Sequence, residues 1–259
     1  MNSKYFVLGG DIKKSLAEGY QLDLKVLFKD AFTLTQKNFF PLFTACLLII
    51  LSLFLLVTLS LENVDSFKDT GVVIAFFVLV LLVAPPIVTG LLMMGVNHSI
   101  GLKSKPFHLF SYVNMALKLS LAAMMINLLV NFLSIVLGQL FNDAGFILSI
   151  LVMFYLRMSF MLVYPLMAEK KLSAFLALTI SFKLVNKNIG QFTILLIFFI
   201  FLFVFGVITS GIGLLFVIPF YVNMMGLIYR QICGVTISVT EVSDDDNDTP
   251  SSHSGGFEA

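Results

Sequence analysis

The stretch TQKNFFPLFTACLLIILSLFLL, residues 35–56, decides the fold class, because a lysine and an asparagine lead directly into a long apolar block. The rest of the chain has the same character: 59% of its 259 residues are hydrophobic and only 12% are charged. Soluble domains are about 45–50% apolar and about 25% charged. One core of this chain length cannot bury so much apolar surface, so the sequence predicts an integral membrane protein.

Six apolar blocks are long enough to cross a bilayer, whose hydrocarbon core of about 30 Å needs roughly 20 helical residues. Lipid does not tolerate unpaired backbone groups, so each block is expected to be helical. The predicted fold is an all-α bundle over 22–242, between an N-terminal cytoplasmic segment, 1–21, and a disordered acidic cytoplasmic tail, 243–259. The spans are placed at about 39–61, 72–95, 115–140, 145–168, 190–208 and 212–233.

The distribution of lysines predicts the orientation. Lysines are concentrated before the first span, between spans two and three, and between spans four and five. The loop after span one holds one lysine, Lys68, and the turns FNDAG and TSGIG hold none. The positive-inside rule therefore predicts that both termini and the two longer connections lie in the cytoplasm.

Two short stretches repeat each other. AFTLTQKN (31–38) and SFKLVNKN (181–188) share Phe, Leu, Lys and Asn in register, and each leads into an apolar block. Halfway between them lies PFHLFSYVN (106–114), which also precedes a span. The pattern predicts three repeats of an amphipathic helix followed by a transmembrane hairpin. Chance similarity is the competing explanation, above all for the middle copy.

The amphipathic helices are expected to lie in the headgroup plane, with the apolar face sunk and the lysines beside anionic lipid. Lys37, Lys183 and Lys187 are the predicted interfacial lysines, and Glu169, directly after span four, is expected at the same interface. The predicted apolar faces are Leu24, Leu27, Phe28, Ala31 and Phe32 in the first helix, and Leu172, Phe175, Leu178, Phe182 and Val185 in the last.

Arg157 is the charge that lies deep inside a predicted span, where insertion costs at least about 2.5–3.5 kcal/mol. The six blocks contain no Asp or Glu, so Asn127 and Asn131 of span three, or backbone carbonyls, are the predicted acceptors. Together with Arg230, near the end of span six, these residues are a candidate site for a lipid phosphate, an anion or a solute. A structural role, with Arg157 bonded inside the bundle or extended to the headgroups and Arg230 anchored at the interface, is the favoured interpretation.

Span three carries small and amide side chains at helical spacing. Such a stripe is typical of helix–helix contact in lipid, and a polar path for a substrate is the alternative. Its members are Ser120, Ala123, Asn127, Asn131, Ser134 and Gly138.

The sequence contains no catalytic or metal-binding motif, so we predict neither an enzyme nor a cofactor. His98, His108 and His253 are isolated and are expected to be solvated, whereas Cys46 and Cys233 are expected to be buried apolar residues. A net charge of +1 does not indicate a nucleic-acid partner.

The segment from Arg157 to Asn188, with Pro165, Glu169, Ser181 and Leu184, resembles the YciC-like family of bacterial inner-membrane proteins. Ala174 or Ala177 is a further match, and the stretch FKDAFTLTQKNFFPLF (28–43) resembles the start of that family. The family is related to the membrane domain of some glycerophosphodiester phosphodiesterases, whose catalytic domain this sequence lacks. The resemblance implies a six-span bundle in the inner membrane and no established activity.

The predicted function is that of a non-catalytic, multi-pass inner-membrane protein that organises envelope lipids or protein partners. The predicted partners are membrane lipids, chiefly their anionic headgroups, and either another protein or a second copy of the chain. The alternative is a passage protein, a transporter or channel, for a small or amphipathic solute. A membrane enzyme acting on lipid headgroups is the third and weakest hypothesis.

Overall fold

The computed structural model describes residues 3–62 and 70–240. The predicted acidic tail, 243–259, and Lys68 lie outside the described residues. The helices are α1 (Ile12–Ala17), α2 (Leu24–Lys37), α3 (Phe39–Glu62), α4 (Thr70–Ser99), α5 (Ala116–Ser159), α6 (Val163–Glu169), α7 (Ala174–Lys187), α8 (Ile189–Ile208) and α9 (Leu214–Cys233). Strands β1 (Ser3–Leu8) and β2 (Val235–Thr240) and the 3-10 helices Pro106–Phe110 and Val113–Met115 complete the described elements.

The prediction of a helical protein with several membrane-spanning segments is confirmed in this coarse form. Five helical stretches are long and apolar enough to cross a membrane within the described ranges. A sixth crossing results if α2 and the first part of α3, which are bent by 77° relative to each other, form one broken span. The five stretches are Thr70–Ser99, Pro106–Asn142, Ala144–Glu169, Ile189–Ile208 and Leu214–Cys233.

Predicted span three and the larger part of predicted span four are the two arms of α5. The chain reverses at Asn142, whose φ of 45° and ψ of −121° interrupt the helix. Ser149 Oγ of the second arm donates a hydrogen bond to the Ser134 carbonyl of the first arm, at 3.1 Å. The arms therefore pack against each other as an antiparallel hairpin.

Predicted span four is not one continuous helix, because a turn at residues 160–162 separates α5 from α6. Pro165 causes this break, since a proline has no N–H and its ring clashes with the carbonyl four residues earlier. The fully buried Ser181 of α7 repairs the break. Its Oγ donates to the Ser159 carbonyl at 2.8 Å and accepts from the Leu162 N–H at 3.3 Å.

A serine from a neighbouring helix also compensates for a second proline. Pro85 lies inside α4 and leaves the carbonyl of Leu81, four residues earlier, without its helical donor. Ser120 Oγ of α5 donates to this carbonyl at 2.7 Å. Freed backbone groups must be satisfied in lipid, so the serine of the small-residue stripe stabilises the contact between α4 and α5.

Two glycines allow α4 and α9 to cross closely. A Cβ added at Gly226 of α9 would collide with the backbone of Gly95 in α4, and one added at Gly95 would collide with the Val222 carbonyl. Small residues at a crossing let helix backbones approach each other, which is how helices associate without a hydrophobic driving force. The crossing joins α4 and α9 at the centre of the packed core.

A two-stranded antiparallel ribbon, which the all-α prediction omitted, closes one end of the bundle. Strand β1 pairs with β2 from Leu8 opposite Val235 to Ser3 opposite Thr240. Beside the ribbon, the Gly10 N–H donates to the carbonyl of Arg230 at 2.9 Å. The N-terminal segment also caps α9, because Ser15 Oγ of α1 donates at 2.7 Å to the carbonyl of Ile232, one of the last carbonyls of that helix.

Helices α2 and α7 are amphipathic, but only part of each predicted apolar face is open to lipid. Phe32 and Phe175 of these faces are exposed, as expected for side chains sunk in the membrane. Leu27 and Ala31 of α2 and Val185 of α7 are instead completely buried in the bundle. Helix α2 also packs along α9, so it belongs to the bundle.

Helices α2 and α7 correspond closely to each other in length and position. Each has 14 residues, each ends at a lysine, Lys37 or Lys187, and each is followed by an asparagine and a long apolar helix. The segment at the predicted middle copy forms two short 3-10 helices instead.

Candidate functional site

The lysine-bearing connections converge on a partly open cavity of about 610 Å³. Its walls come from the last turns of α4, the connection over 102–115, the first turns of α5, and the connection between α6 and α7. Gly90 of α4 makes this arrangement possible, because a Cβ there would collide with the carbonyl of Leu109 in the connection.

Three lysines from three separate segments line the cavity. Lys103 follows α4, Lys118 lies in the first turn of α5, and Lys171 follows α6. All three residues are exposed. Glu169 is the acidic residue among the described lining residues, so the free charges at the cavity are positive.

The carboxylate of Glu169 is already engaged, and its side chain is only 1% exposed. Its Oε2 accepts a hydrogen bond from the Tyr229 hydroxyl at 2.7 Å, and its Oε1 accepts from the Thr236 N–H at 2.9 Å. Lys170 Nζ lies 3.1 Å from Oε1. The sequence placed Glu169 at the interface, and the structure buries it, because partners from α9 and β2 fold over it.

Two helices begin at the cavity. Met115 and Ser173, the residues that precede α5 and α7, both line it, and neither makes a capping hydrogen bond through its side chain. The N–H of Ala116 in α5 already donates to the Val113 carbonyl, so α5 contributes through its macrodipole, which places partial positive charge at the start of a helix. These ends add to the positive potential of the three lysines.

Lys171 adopts an unusual backbone conformation for its residue type, with a φ of 53°. It occupies the position just after the C-cap of α6, where glycine is the common residue. A non-glycine residue in this region is uncommon, and such residues cluster at functional sites. A lysine therefore stands at a position where glycine would be accommodated with less backbone strain.

Apolar side chains form the floor of the cavity and surround it. Met93 and Met167 are buried in the floor. Leu121 lines the wall and is exposed, and next to lining residues lie the strongly exposed Leu117 and Phe175. The cavity therefore joins a basic interior to an apolar outer surface.

Asn97 also lines the cavity, and its side-chain oxygen is buried with no hydrogen-bond partner among the described residues. A buried acceptor without a partner costs about 1–3 kcal/mol. A ligand that brings a donor to this oxygen would offset that cost.

The structure brings together one pair of the predicted site residues. Arg157 Nη2 donates to Asn127 Oδ1 at 2.9 Å, as the sequence predicted, and Arg157 itself is exposed. Asn131 lies one turn farther along the same arm and is exposed. Arg230 is elsewhere, with Nη1 hydrogen-bonded to the Ser99 carbonyl at the C-terminus of α4. None of these four residues lines the cavity described here.

The predicted interfacial lysines are all exposed. Lys37 and Lys183 lie on the surfaces of α2 and α7. Lys187 Nζ donates to the Ala17 carbonyl at 3.0 Å and so helps to hold the N-terminal segment. In that segment, burial raises the pKa of the Tyr20 phenol, whose hydroxyl donates to the Leu184 carbonyl at 2.7 Å.

The expectation that His98 is solvated is wrong, because the residue is only 1% exposed. Its Nδ1 lies 2.9 Å from Asn223 Oδ1 of α9, and Asn223 Nδ2 donates to Thr35 Oγ1 of α2 at 3.1 Å. This buried polar chain ties α2, α4 and α9 together. The predicted burial of Cys46 and Cys233 as free cysteines is confirmed.

Sequence reasoning missed the cavity because its lysines come from distant segments. Lys103, Lys118 and Lys171 were used only to predict orientation, and their convergence depends on the packing of α4, α5 and α6. The signal that could have found them is the concentration of lysines in the two connections expected to share one face of the membrane.

The arrangement is suited to binding an anion, since it offers cations and helix N-termini but no free carboxylate among the described lining residues. No cluster of three or more potential metal ligands occurs within 3–62 and 70–240. Neither a protein-family model, nor a curated protein, nor a solved structure matches the chain. The similarity to YciC-like proteins thus stays a prediction.

Proposed function

We propose that this chain is a non-catalytic, multi-pass protein of the bacterial inner membrane that organises lipids through their anionic headgroups. The observation that carries the proposal is the convergence of Lys103, Lys118 and Lys171 on one partly open cavity. Anionic lipid attracts basic residues close to the membrane surface, at about 1 kcal/mol per lysine or arginine. Protein partners, including a second copy of the chain, remain the other class of ligand for this end of the molecule.

The finer architecture belongs to the same proposal. It comprises six spans, cytoplasmic termini, and repeats of an amphipathic helix followed by a hairpin. The equal lengths of α2 and α7, and the asparagine after each, support the first and third copies. The resemblance to the YciC-like family supports the location.

Lipid analysis tests the function. The full chain would be purified from bacterial membranes in a mild detergent, and its retained lipids would be quantified by mass spectrometry. We expect anionic phospholipids to be enriched over the bulk membrane extract, because the basic cavity retains them. An unrelated multi-pass protein purified identically serves as the control. Retained lipid with the composition of the bulk extract contradicts the proposal.

Cysteine labelling tests the orientation. Cys46 and Cys233 are buried, so a background with both replaced by alanine leaves a single introduced cysteine to react. In intact spheroplasts, a membrane-impermeant maleimide should label Ser210→Cys, and it should label Lys105→Cys only after permeabilisation. The reverse pattern contradicts cytoplasmic termini.

Solute passage is the second candidate, and the exposure of Arg157, a charge on the second arm of α5, favours it. Chloride flux into proteoliposomes would be compared for the wild type, Arg157→Lys and Arg157→Ala. Flux that depends on the arginine while all three proteins stay folded supports passage. Absence of flux in the wild type, or loss of folding alone in Arg157→Ala, supports a structural arginine.

A further inference from the structure

We propose that the cavity binds one anionic phospholipid, with the phosphate between Lys103, Lys118 and Lys171 and the acyl chains leaving along the first arm of α5. This inference rests on the proposed lipid-binding function and narrows it to one site and one ligand class. The geometry that carries it is a basic interior joined to an apolar outer surface.

The charges favour an anion. Three lysines and the N-termini of α5 and α7 face the same space, and a phosphate can accept hydrogen bonds from several of them together. A zwitterionic headgroup would bring an ammonium group into this positive environment. The one carboxylate among the described lining residues, on Glu169, is occupied by Tyr229, Thr236 and Lys170, so it is not free to receive that ammonium.

The apolar surroundings favour a lipid over a free anion. A cavity of about 610 Å³ is larger than one phosphate needs and lies in the usual range for small-molecule sites. Leu117 and Leu121, on either side of Lys118 along α5, are 76% and 52% exposed. Acyl chains would cover them, and a soluble anion would leave them uncovered.

The backbone at Lys171 supports a role for this lysine in binding. Its φ of 53° would suit glycine better, so the chain retains a cation there against its conformational preference. This circumstance also provides a variant, Lys171→Gly, that removes the charge without disturbing the fold.

The test uses the full chain in detergent micelles and counts bound lipids by native mass spectrometry. Dioleoyl phosphatidylglycerol and dioleoyl phosphatidylcholine, which share acyl chains, would be titrated separately. We expect the wild type to prefer the anionic lipid by about tenfold or more, which corresponds to about 1.4 kcal/mol. Lys171→Gly should weaken the preference, and Lys103→Gln/Lys118→Gln/Lys171→Gly should abolish it.

Lys105→Gln and Lys183→Gln are the matched controls, because these lysines are exposed and do not line the cavity. Both should keep the wild-type preference. Size-exclusion profiles and melting temperatures establish that each protein is folded. If the triple variant does not fold, Lys171→Gly carries the comparison.

Three results would overturn the inference. If the folded cavity variants keep the full preference, anionic lipid binds elsewhere, and the proposed function survives without this site. If inorganic phosphate displaces the lipid at equal concentration, the site takes a free anion. If the wild type shows no preference between the lipids, the proposed function fails together with the inference.

Discussion

The end of the bundle that carries Lys103, Lys118 and Lys171 (the lysine-bearing end) is stabilised differently from the opposite half, which contains the remaining turns of the long helices. At the lysine-bearing end, hydrogen bonds join elements that are far apart in sequence, as between His98, Asn223 and Thr35. In the opposite half, long helices expose apolar side chains such as Phe77 of α4 and Phe201 of α8. The lysine-bearing end is packed and hydrogen-bonded like the core of a soluble protein, whereas the opposite half needs an apolar solvent around its exposed side chains.

The same contrast exists between helices. In the most apolar stretch of α9, 56% of the residues are buried inside the bundle, whereas in that of α4 the share is 12%. Within α8 it is visible along one helix, because Phe192 is completely buried and Phe201 is 68% exposed. Side chains that pack on nothing in the protein are compatible with stable folding only where hydrocarbon surrounds them. The burial pattern therefore separates a protein-packed half from a half prepared for lipid.

The largest expected effect comes from replacing the same residue type in the two halves of α8. Phe192→Ala removes a fully buried ring and should lower the free energy of unfolding by about 3–5 kcal/mol. Phe201→Ala removes an exposed ring and should change it by no more than about 0.5 kcal/mol. Reversible unfolding in mixed detergent micelles measures both. Equal effects would remove the distinction between the halves.

The next effect tests the crossing of α4 and α9. Gly226→Val places a branched side chain against the Gly95 backbone and should destabilise by about 3 kcal/mol or more, since neither backbone can yield cheaply. Gly190→Ala is the matched control, because a Cβ at Gly190 meets nothing within 4 Å. Melting temperatures in detergent compare the two. A stable Gly226→Val protein would mean that the helices do not cross here.

A smaller loss in the free energy of unfolding is expected when either of two serines that donate to backbone carbonyls is replaced by alanine. Ser181→Ala leaves the buried Ser159 carbonyl and Leu162 N–H without this partner and should cost about 1–3 kcal/mol. Ser149→Ala in the opposite half leaves no buried N–H unpaired, because Oγ only donates there, to Gly145 and Ser134 carbonyls. It should cost less than about 1 kcal/mol. Similar losses in both variants would contradict a polar core confined to one end.

The smallest effect has the opposite sign. Lys171→Gly relieves a left-handed conformation at a non-glycine residue and should stabilise the protein by about 1 kcal/mol. Thermal unfolding without added lipid measures it. A destabilised Lys171→Gly variant would mean that the lysine side chain contributes to folding itself and is not retained for a ligand.

The sequence predicted much of the helical framework because hydropathy reports lipid contact directly. Predicted spans at 190–208 and 212–233 differ by at most two residues at either end from α8 and α9. The bond between Arg157 and Asn127 also follows from local chemistry, because the predicted spans contain no carboxylate and an amide on the neighbouring span is a suitable acceptor.

Features that depend on distant partners were not predictable. Strands β1 and β2 are six residues each and lie at opposite ends of the chain, so neither carries a strong signal alone. Glu169 is buried by Tyr229 and Thr236, which follow it by 60 residues or more. Part of the predicted membrane-facing surface of α2 and α7 packs inside the bundle, because apolar side chains suit contact with lipid and contact with protein equally well.

The most direct measurement asks which medium surrounds the exposed apolar half. Nitroxide labels would be placed one at a time at Phe201→Cys and Lys183→Cys, in the background without Cys46 and Cys233, in lipid nanodiscs. The label at position 201 should collide with oxygen and be shielded from a water-soluble nickel complex, and the label at 183 should show the reverse. Equal access of the nickel complex to both labels would place water around α8 and contradict the membrane-embedded bundle.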